Sequence, residues 1–458
     1  MSKRPDWIRA VPPAEPATIG VAVTEDVLAR DFISRNCLRL RWDNTRGRWY
    51  VYDLSRGVWR CDDTGAVVLE DLRRFCAERD DAKKPKLGGK STIFAIEALC
   101  RVDMAVAITS DFWDRHPLTL ATPGAYINLQ TGTVQPPNPD DMITQSTIVA
   151  LEDGEPQRFL TFLHEATGGD TAYVDYIQRL SGYCLTGDIR EHALFFIHGP
   201  QGTGKSRLIA IMQEILGSYS GTAPMKMFTR KQTDSHPTGV AMLRGKRLVA
   251  ANETQQGWVW DEALIKNLTG GDRIAARFMH QNFFEFTPTH KLVFSSNFAP
   301  AIQSSGEGLR RRFQILPFDR TPRFRDEHLH AKFVMEAGQI LGWMVRGALQ
   351  WQQMGLAPPK IVQDATAAYF ERQDVFADWL DAATVRGPNC RSPTERLYTT
   401  YVDFMNRQHE PVLSMKSFAT ELRQRGFLAV KFRVDSQTLR GWQGVQPRLQ
   451  FEHYGDQE

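Results

Sequence analysis

Between residues 190 and 322, four apolar runs of strand length, ALFFIHG, RLVAANE, KLVFSSN and FQILPF, alternate with helical stretches. That alternation predicts a parallel sheet with crossover helices, an α/β core. Upstream, 28–150 mixes the β-like run RWYVYDL, the amphipathic stretch VLEDLRRFCAERDDAKK and the turn-rich YINLQTGTVQPPNPDD, which reads as a small α+β domain behind a flexible segment, 1–27. In 151–189 the apolar positions Val174, Ile177 and Leu180 recur at helical spacing and predict a helical connector. Helical periodicity returns in 323–388, first at Phe333, Ala337, Ile340, Leu341 and Met344, then at Phe376, Trp379 and Leu380, and predicts a helical subdomain. The remainder, 389–458, holds SMKSFATELRQRGF, a helix expected to turn Met415, Phe418 and Leu422 inward, followed by alternating residues, the pattern of a winged-helix-like domain.

Composition narrows the class. With 458 residues, 42% of them hydrophobic, the chain can build two to four domains. It has no apolar run of membrane-spanning length, and its Pro- and Ala-rich start lacks the apolar centre of a secretion signal, so a cytoplasmic protein is expected. The six cysteines are scattered without zinc-ligand spacing and read as reduced, mostly buried thiols. A net charge of +3 suits a polyanionic partner without requiring one.

The candidate chemistry starts at Gly199-Pro200-Gln201-Gly202-Thr203-Gly204-Lys205-Ser206, which fits GxxxxGK[ST] and sits between an apolar strand and a helix with Leu208, Ile211, Met212 and Ile215 inward. Glycines let successive backbone N–H groups turn toward phosphate oxygens, Lys205 can reach the terminal phosphates, and the Ser206 hydroxyl can join a magnesium shell. Such a cradle alone serves a kinase, a GTPase or a motor. The next strand ends in Asn252-Glu253, where Glu253 can orient water for attack and take part, at least indirectly, in holding the metal. A third strand ends at Asn297, placed to position that water. Arg310, Arg311 and Arg312 are three adjacent guanidiniums, more than one subunit is expected to pair fully, and Arg311 or Arg312 can serve a neighbouring subunit's nucleotide.

In order and spacing these elements resemble superfamily 3 helicases, in the branch found in phage, plasmid and poxvirus primase-helicases. The likeness runs from about 155 to 320 and includes LIKNLTGGDRIAARFMHQNFFEF and RRFQILPF. It implies an AAA+-like core using ATP and Mg2+ in a homo-hexameric ring, with Lys266, Arg277 and His280 of a channel hairpin touching single-stranded DNA. The implied function is an ATP-dependent DNA helicase of a phage, plasmid or integrated element, moving on single-stranded DNA and opening forked duplex in the cytoplasm of a bacterial host. The chain lacks a paired-aspartate strand of the primase type, Asp53 standing alone, so a separate primase or loader is expected as a partner. Two alternatives stay open: an ATP-controlled initiator whose basic tail helix (Lys416, Arg423, Arg425) reads duplex DNA, and the helicase part of a primase-helicase.

Overall fold

The computed structural model describes residues 24–79, 87–230, 237–252, 258–277, 283–302, 307–322, 326–372, 374–408, 412–434 and 437–448. It divides into two units, Met1–Thr366 and Ala367–Glu458.

The first unit begins with α1 (Glu25–Asn36), which starts where the Thr24 hydroxyl accepts from the Val27 N–H at 3.3 Å and Glu25 and Asp26 meet the positive helix end. An antiparallel meander follows, β1 (Leu40–Asp43), β2 (Arg48–Asp53) and β3 (Val58–Asp62). Helices α2 (Ala66–Glu78) and α3 (Lys90–Arg101) lead to β4 (Ala107–Ile108), which pairs parallel to β1. Phe32, Leu40, Trp49, Leu72 and Ile96 form the core beneath them. A second small sheet, β5 (Thr119–Thr122), β6 (Ala125–Asn128) and β7 (Val134–Gln135), is joined to the main body by Arg247, whose buried guanidinium donates to the Thr119 carbonyl at 2.7 Å and the Leu185 carbonyl at 2.5 Å. Then come α4 (Gln157–Thr167) and α5 (Thr171–Leu185), the latter capped by Asp170 accepting from Tyr173 N–H at 3.0 Å.

The main sheet is built from β8 (Leu194–His198), α6 (Lys205–Leu216), β9 (Ser220–Thr222), α7 (Pro237–Ala241), β10 (Leu248–Asn252), α8 (Glu262–Gly270), β11 (Ile274–Ala276), β12 (Phe284–Phe286), β13 (Lys291–Ser296), α9 (Glu307–Arg310) and β14 (Phe313–Pro317). Its order is β14-β8-β13-β10-β9 with every pair parallel, while β11 and β12 form a separate hairpin. All four apolar runs are strands of this sheet. Their middles are apolar because both faces are covered: β13 is wholly buried, and β8 and β10 are buried except for their last residues. Helices α10 (Leu329–Met335), α11 (Ala337–Met354) and α12 (Lys360–Arg372) follow. Helices α5 and α11 touch backbone to backbone, since a Cβ at Gly182 would lie 2.0 Å from the Ala348 nitrogen and one at Gly347 would lie 2.1 Å from the Gln178 carbonyl oxygen.

The second unit contains α13 (Val375–Ala383), β15 (Thr384–Pro393), α14 (Thr394–Arg407), α15 (Met415–Gln424), β16 (Leu428–Val434) and β17 (Gln437–Pro447), its strands forming an antiparallel sheet of order β15-β17-β16. Phe376 and Trp379 of α13 share one core with Tyr401, Phe418 and Trp442. The tail module expected to start at 389 therefore draws its core from further upstream, and 389 falls inside β15. Met415 is exposed rather than inward, because it is the first residue after the Ser414 cap, whereas Phe418 and Leu422 are buried. Of the six cysteines, all free, three are buried, so "mostly buried" overstated it; Cys61 is exposed on the edge strand β3. No helix among the described residues is long and apolar enough to cross a membrane.

Candidate functional site

The glycine-rich loop leaves β8 at His198 and enters α6 at Lys205. Two glycines shape it. At Gly199 (φ +154°) a Cβ would lie 2.1 Å from the Phe318 carbonyl oxygen, and at Gly204 (φ +94°) one would lie 2.4 Å from Phe162 Cε2. The backbone therefore runs closer to its neighbours than any side chain allows. No side chain caps α6, so its first N–H groups face the hollow of the loop, where they and the helix dipole favour an anion. Inside the loop the Lys205 ammonium donates to the carbonyls of Gly199 (2.7 Å) and Pro200 (2.5 Å), and the Thr203 hydroxyl donates to Pro200 at 3.0 Å. Burial pulls the Lys205 pKa below the usual lysine value, and the Asp319 carboxylate opposes that shift. Gln201 and Gly202 are exposed at the loop's crest, and Ser206 is exposed at the start of α6.

Strand register brings the other candidates to the same edge. Asn252 pairs with Ser295, Ser296 with His198, and Pro317 with His198, so β8, β10, β13 and β14 end together. Asn252 and Asn297 line one cleft of about 990 Å³ with Gly202, Thr203, Gly204, Lys205 and Ser206. Glu253, one residue past β10, lies outside the described residues. Among the described residues no group of three or more His, Cys, Asp or Glu is arranged to hold a metal. A magnesium ion on a triphosphate asks for less, taking most ligands from phosphate oxygens and water, and the Ser206 hydroxyl is the described group at that position.

The cleft also has walls that the motif reading missed. Arg158 and Phe162 come from α4, and Arg320 and Asp326 from the segment after β14. The Arg158 guanidinium donates to Asp326 at 3.1 Å, Asp326 also accepts from Lys332 at 2.8 Å, and the Lys332 and Arg158 partners hold the Asp326 carboxyl below its usual pKa. Asp319 and Arg320 could have been flagged, since they follow a strand end as Gly199 does; Arg158 and Phe162 carry no such local signal.

The arginine run lies at the opposite edge. Phe313 of β14 pairs with Leu194, the first residue of β8, so the arginine run enters the sheet where β8 begins, not where it ends. At about 3.3 Å per residue, four steps of β8 put roughly 13 Å between the two edges. Arg312 is tied into its own chain, donating to Thr269 Oγ1 at 3.1 Å and the Gly308 carbonyl at 2.5 Å, while Arg311 is exposed. The end of α8, the helix that leads into β11, is anchored at this edge too, through the contact of His192 Nδ1 with the Thr269 carbonyl at 2.7 Å. Lys266 on α8 lies 3.9 Å from Glu262, and Arg277 stacks at 4.9 Å from the centroid of Phe283, a ring 62% exposed. His280, expected near the hairpin tip, lies outside the described residues.

Comparison with known proteins adds a family setting. A family model described as "D5 N terminal like" matches residues 29–168, and one described as a family of unknown function (DUF5906) matches residues 197–312. Viral proteins described as "Putative helicase" match as well. One from Acanthamoeba polyphaga mimivirus is 25% identical over 58% of this chain and 30% of its own length. One from Frog virus 3 (isolate Goorha) is 20% identical over 59% and 29%, and one from Sputnik virophage is 27% identical over 28% and 17%. The chain thus spans less than a third of the length of these relatives. A solved structure, "The apo structure of NrS-1 C terminal region (305-718)", superposes with a TM-score of 0.49 at 10% identity over 92% of this chain and 100% of that one, too loose a likeness to bear on residue roles.

Proposed function

We propose that this chain, a member of the phage and viral primase-helicase family of the superfamily 3 type, is an ATP-hydrolysing DNA motor with an AAA+-like P-loop core and a winged-helix-like second unit. One observation carries the reading: the anion-cradling loop and the arginine run occupy opposite edges of a single parallel sheet. Arg311 cannot cross its own subunit to the loop at Gly199–Ser206. In a closed ring of copies, most simply a hexamer, one subunit's arginine edge faces the next subunit's loop edge.

In that arrangement the amides of Gly202 to Ser206 and the Lys205 ammonium hold the ATP phosphates. Ser206 would help hold a magnesium ion, whose chemistry there would be neutralisation of phosphate charge. Glu253 orients the attacking water, Asn297 fixes its position against the terminal phosphate, and the neighbour's Arg311 stabilises charge that develops during transfer. Helix α8, which carries Lys266 and leads into the hairpin, meets Arg312 and His192 at the arginine edge through Thr269, so a shift of the subunit interface on hydrolysis would move Lys266, Arg277 and His280 against single-stranded DNA, opening forked duplex ahead. A separate primase or loader would supply primers or entry, and the motor would work wherever the viral, phage or plasmid DNA replicates, in a bacterial host the cytoplasm.

The test is ATP turnover and strand separation by wild type, Lys205→Ala and Glu253→Gln, with particle size measured with and without nucleotide. Expected are DNA-stimulated turnover by wild type, abolished turnover in soluble variants, and assembly that depends on nucleotide. Turnover indifferent to single-stranded DNA overturns the motor reading.

A further inference from the structure

The hairpin of β16 and β17 in the second unit carries a basic face that forms no ion pair among the described residues. In the antiparallel register Lys431 stands directly opposite Arg440, and Arg433 follows two residues on, so all three lie on one face. Like charges directly opposite one another destabilise a strand pair, so a fold keeping Lys431 against Arg440 gains nothing from the pair itself. Arg423 extends the face: it projects from α15 to 5.5 Å from the ring centroid of Trp442, which shares that side of the hairpin.

Seven cations stand against one acid, Glu421, in the described residues between 415 and 448. Besides Arg423 on its ring, two of the seven are engaged within the unit by hydrogen bonds or ion pairs. Arg425 pairs with Asp374 at 2.6 Å and Glu421 at 3.6 Å, and Arg448 donates to the Thr384 and Asp381 carbonyls. Arg425, one of the three tail-helix cations nominated from the sequence, is therefore spent on the fold, while the hairpin cations, which were not nominated, are exposed.

We propose that Lys431, Arg433 and Arg440, with Arg423 beside them, form a binding face for the phosphate backbone of duplex DNA. The choice of duplex over a single strand rests on the surface chemistry. Sequence-tolerant binding of single strands relies on exposed aromatic rings for base stacking, and this face presents none among its described residues, Trp442 being buried and Phe432 lying on the opposite face. Exposed guanidinium and ammonium groups with no exposed ring among them suit phosphates held in a fixed array. This site is independent of the nucleotide loop, and the proposal stands whether or not the chain is a motor.

The experiment measures binding of the full chain to a fluorescein-labelled mixed-sequence duplex, and to one of its strands alone, by anisotropy across a salt series. The triple variant Lys431→Ala/Arg433→Ala/Arg440→Ala should lose about 10-fold or more in duplex affinity, with the slope of log affinity against log salt falling by about 2 to 3. Single-strand affinity should change by less than about twofold, since that contact is assigned elsewhere. The charge-keeping variant Lys431→Arg/Arg440→Lys should bind duplex as wild type does, which separates charge from folding. Unchanged duplex affinity and slope in the triple variant overturn the proposal, as do an equal loss for single strands or a matching loss in the charge-keeping variant.

Discussion

The approach of Gly204 to Phe162 ties the nucleotide loop to α4, and Gly204→Ala tests it. Two terms add. A left-handed backbone, here φ +94°, costs an L-residue about 1–2 kcal/mol. The new methyl would also lie 2.4 Å from Cε2 and 2.9 Å from Cζ of a ring that is itself buried, so it cannot swing aside, and overpacking of that kind costs about 1–3 kcal/mol. The sum is roughly 2–5 kcal/mol. Gly202→Ala is the internal control: its φ is +86°, but nothing lies within 4 Å of the added atom, so only the backbone term of about 1–2 kcal/mol applies. Urea unfolding of both variants, with m-values compared to wild type, should therefore separate them by on the order of 1–3 kcal/mol. Shrinking the ring gives a second arm: in the Phe162→Leu background, Gly204→Ala should cost at least about 1 kcal/mol less than in wild type. Equal destabilisation by the two alanines, or no coupling to Phe162, would refute the claim that α4 forms the wall of the loop.

Three further outcomes are expected. Arg312→Ala should lose about 1–3 kcal/mol of stability with its two internal hydrogen bonds, whereas exposed Arg311→Ala should fold normally yet lose roughly a thousandfold in turnover of the assembled protein; a fully active Arg311→Ala assembly would remove the trans-arginine role. His290 is buried with neither ring nitrogen hydrogen-bonded, and burial, reinforced by Lys291, drops its pKa to about 3. The folded chain thus takes up this proton later than the unfolded one, so the contribution is present above about pH 6.5 and is lost as pH falls toward 3. His290→Leu should flatten that part of the acid limb of a urea-midpoint profile, and an identical slope would assign the limb to other groups. Arg277→Ala should lower single-strand affinity about 10-fold and reduce its salt slope by about 1; binding that keeps its full salt dependence would take Arg277 out of phosphate contact.

What the sequence made legible is whatever a local pattern encodes. The four strands showed because burial on both faces demands apolar middles, and the loop showed because GxxxxGKS packs its whole geometry into eight consecutive positions. The α4 wall did not show, because Phe162 meets Gly204 across more than forty residues with nothing local to mark the meeting. Helical spacing at Phe376 and Trp379 revealed a helix but not which core it fills, since aromatic periodicity is the same on either side of a unit boundary. The deepest gap concerns direction. The arginine run was given to a neighbouring subunit's nucleotide on residue type alone, and only strand register sends Lys205 and Asn297 to one edge of the sheet and Arg311 to the other. Residue type names the chemistry; only register decides whether one subunit can perform it alone. With about 13 Å of sheet between loop and arginine, farther than one arginine side chain reaches, a lone copy lacks a complete site, and assembly becomes part of the proposed catalysis rather than an addition to it.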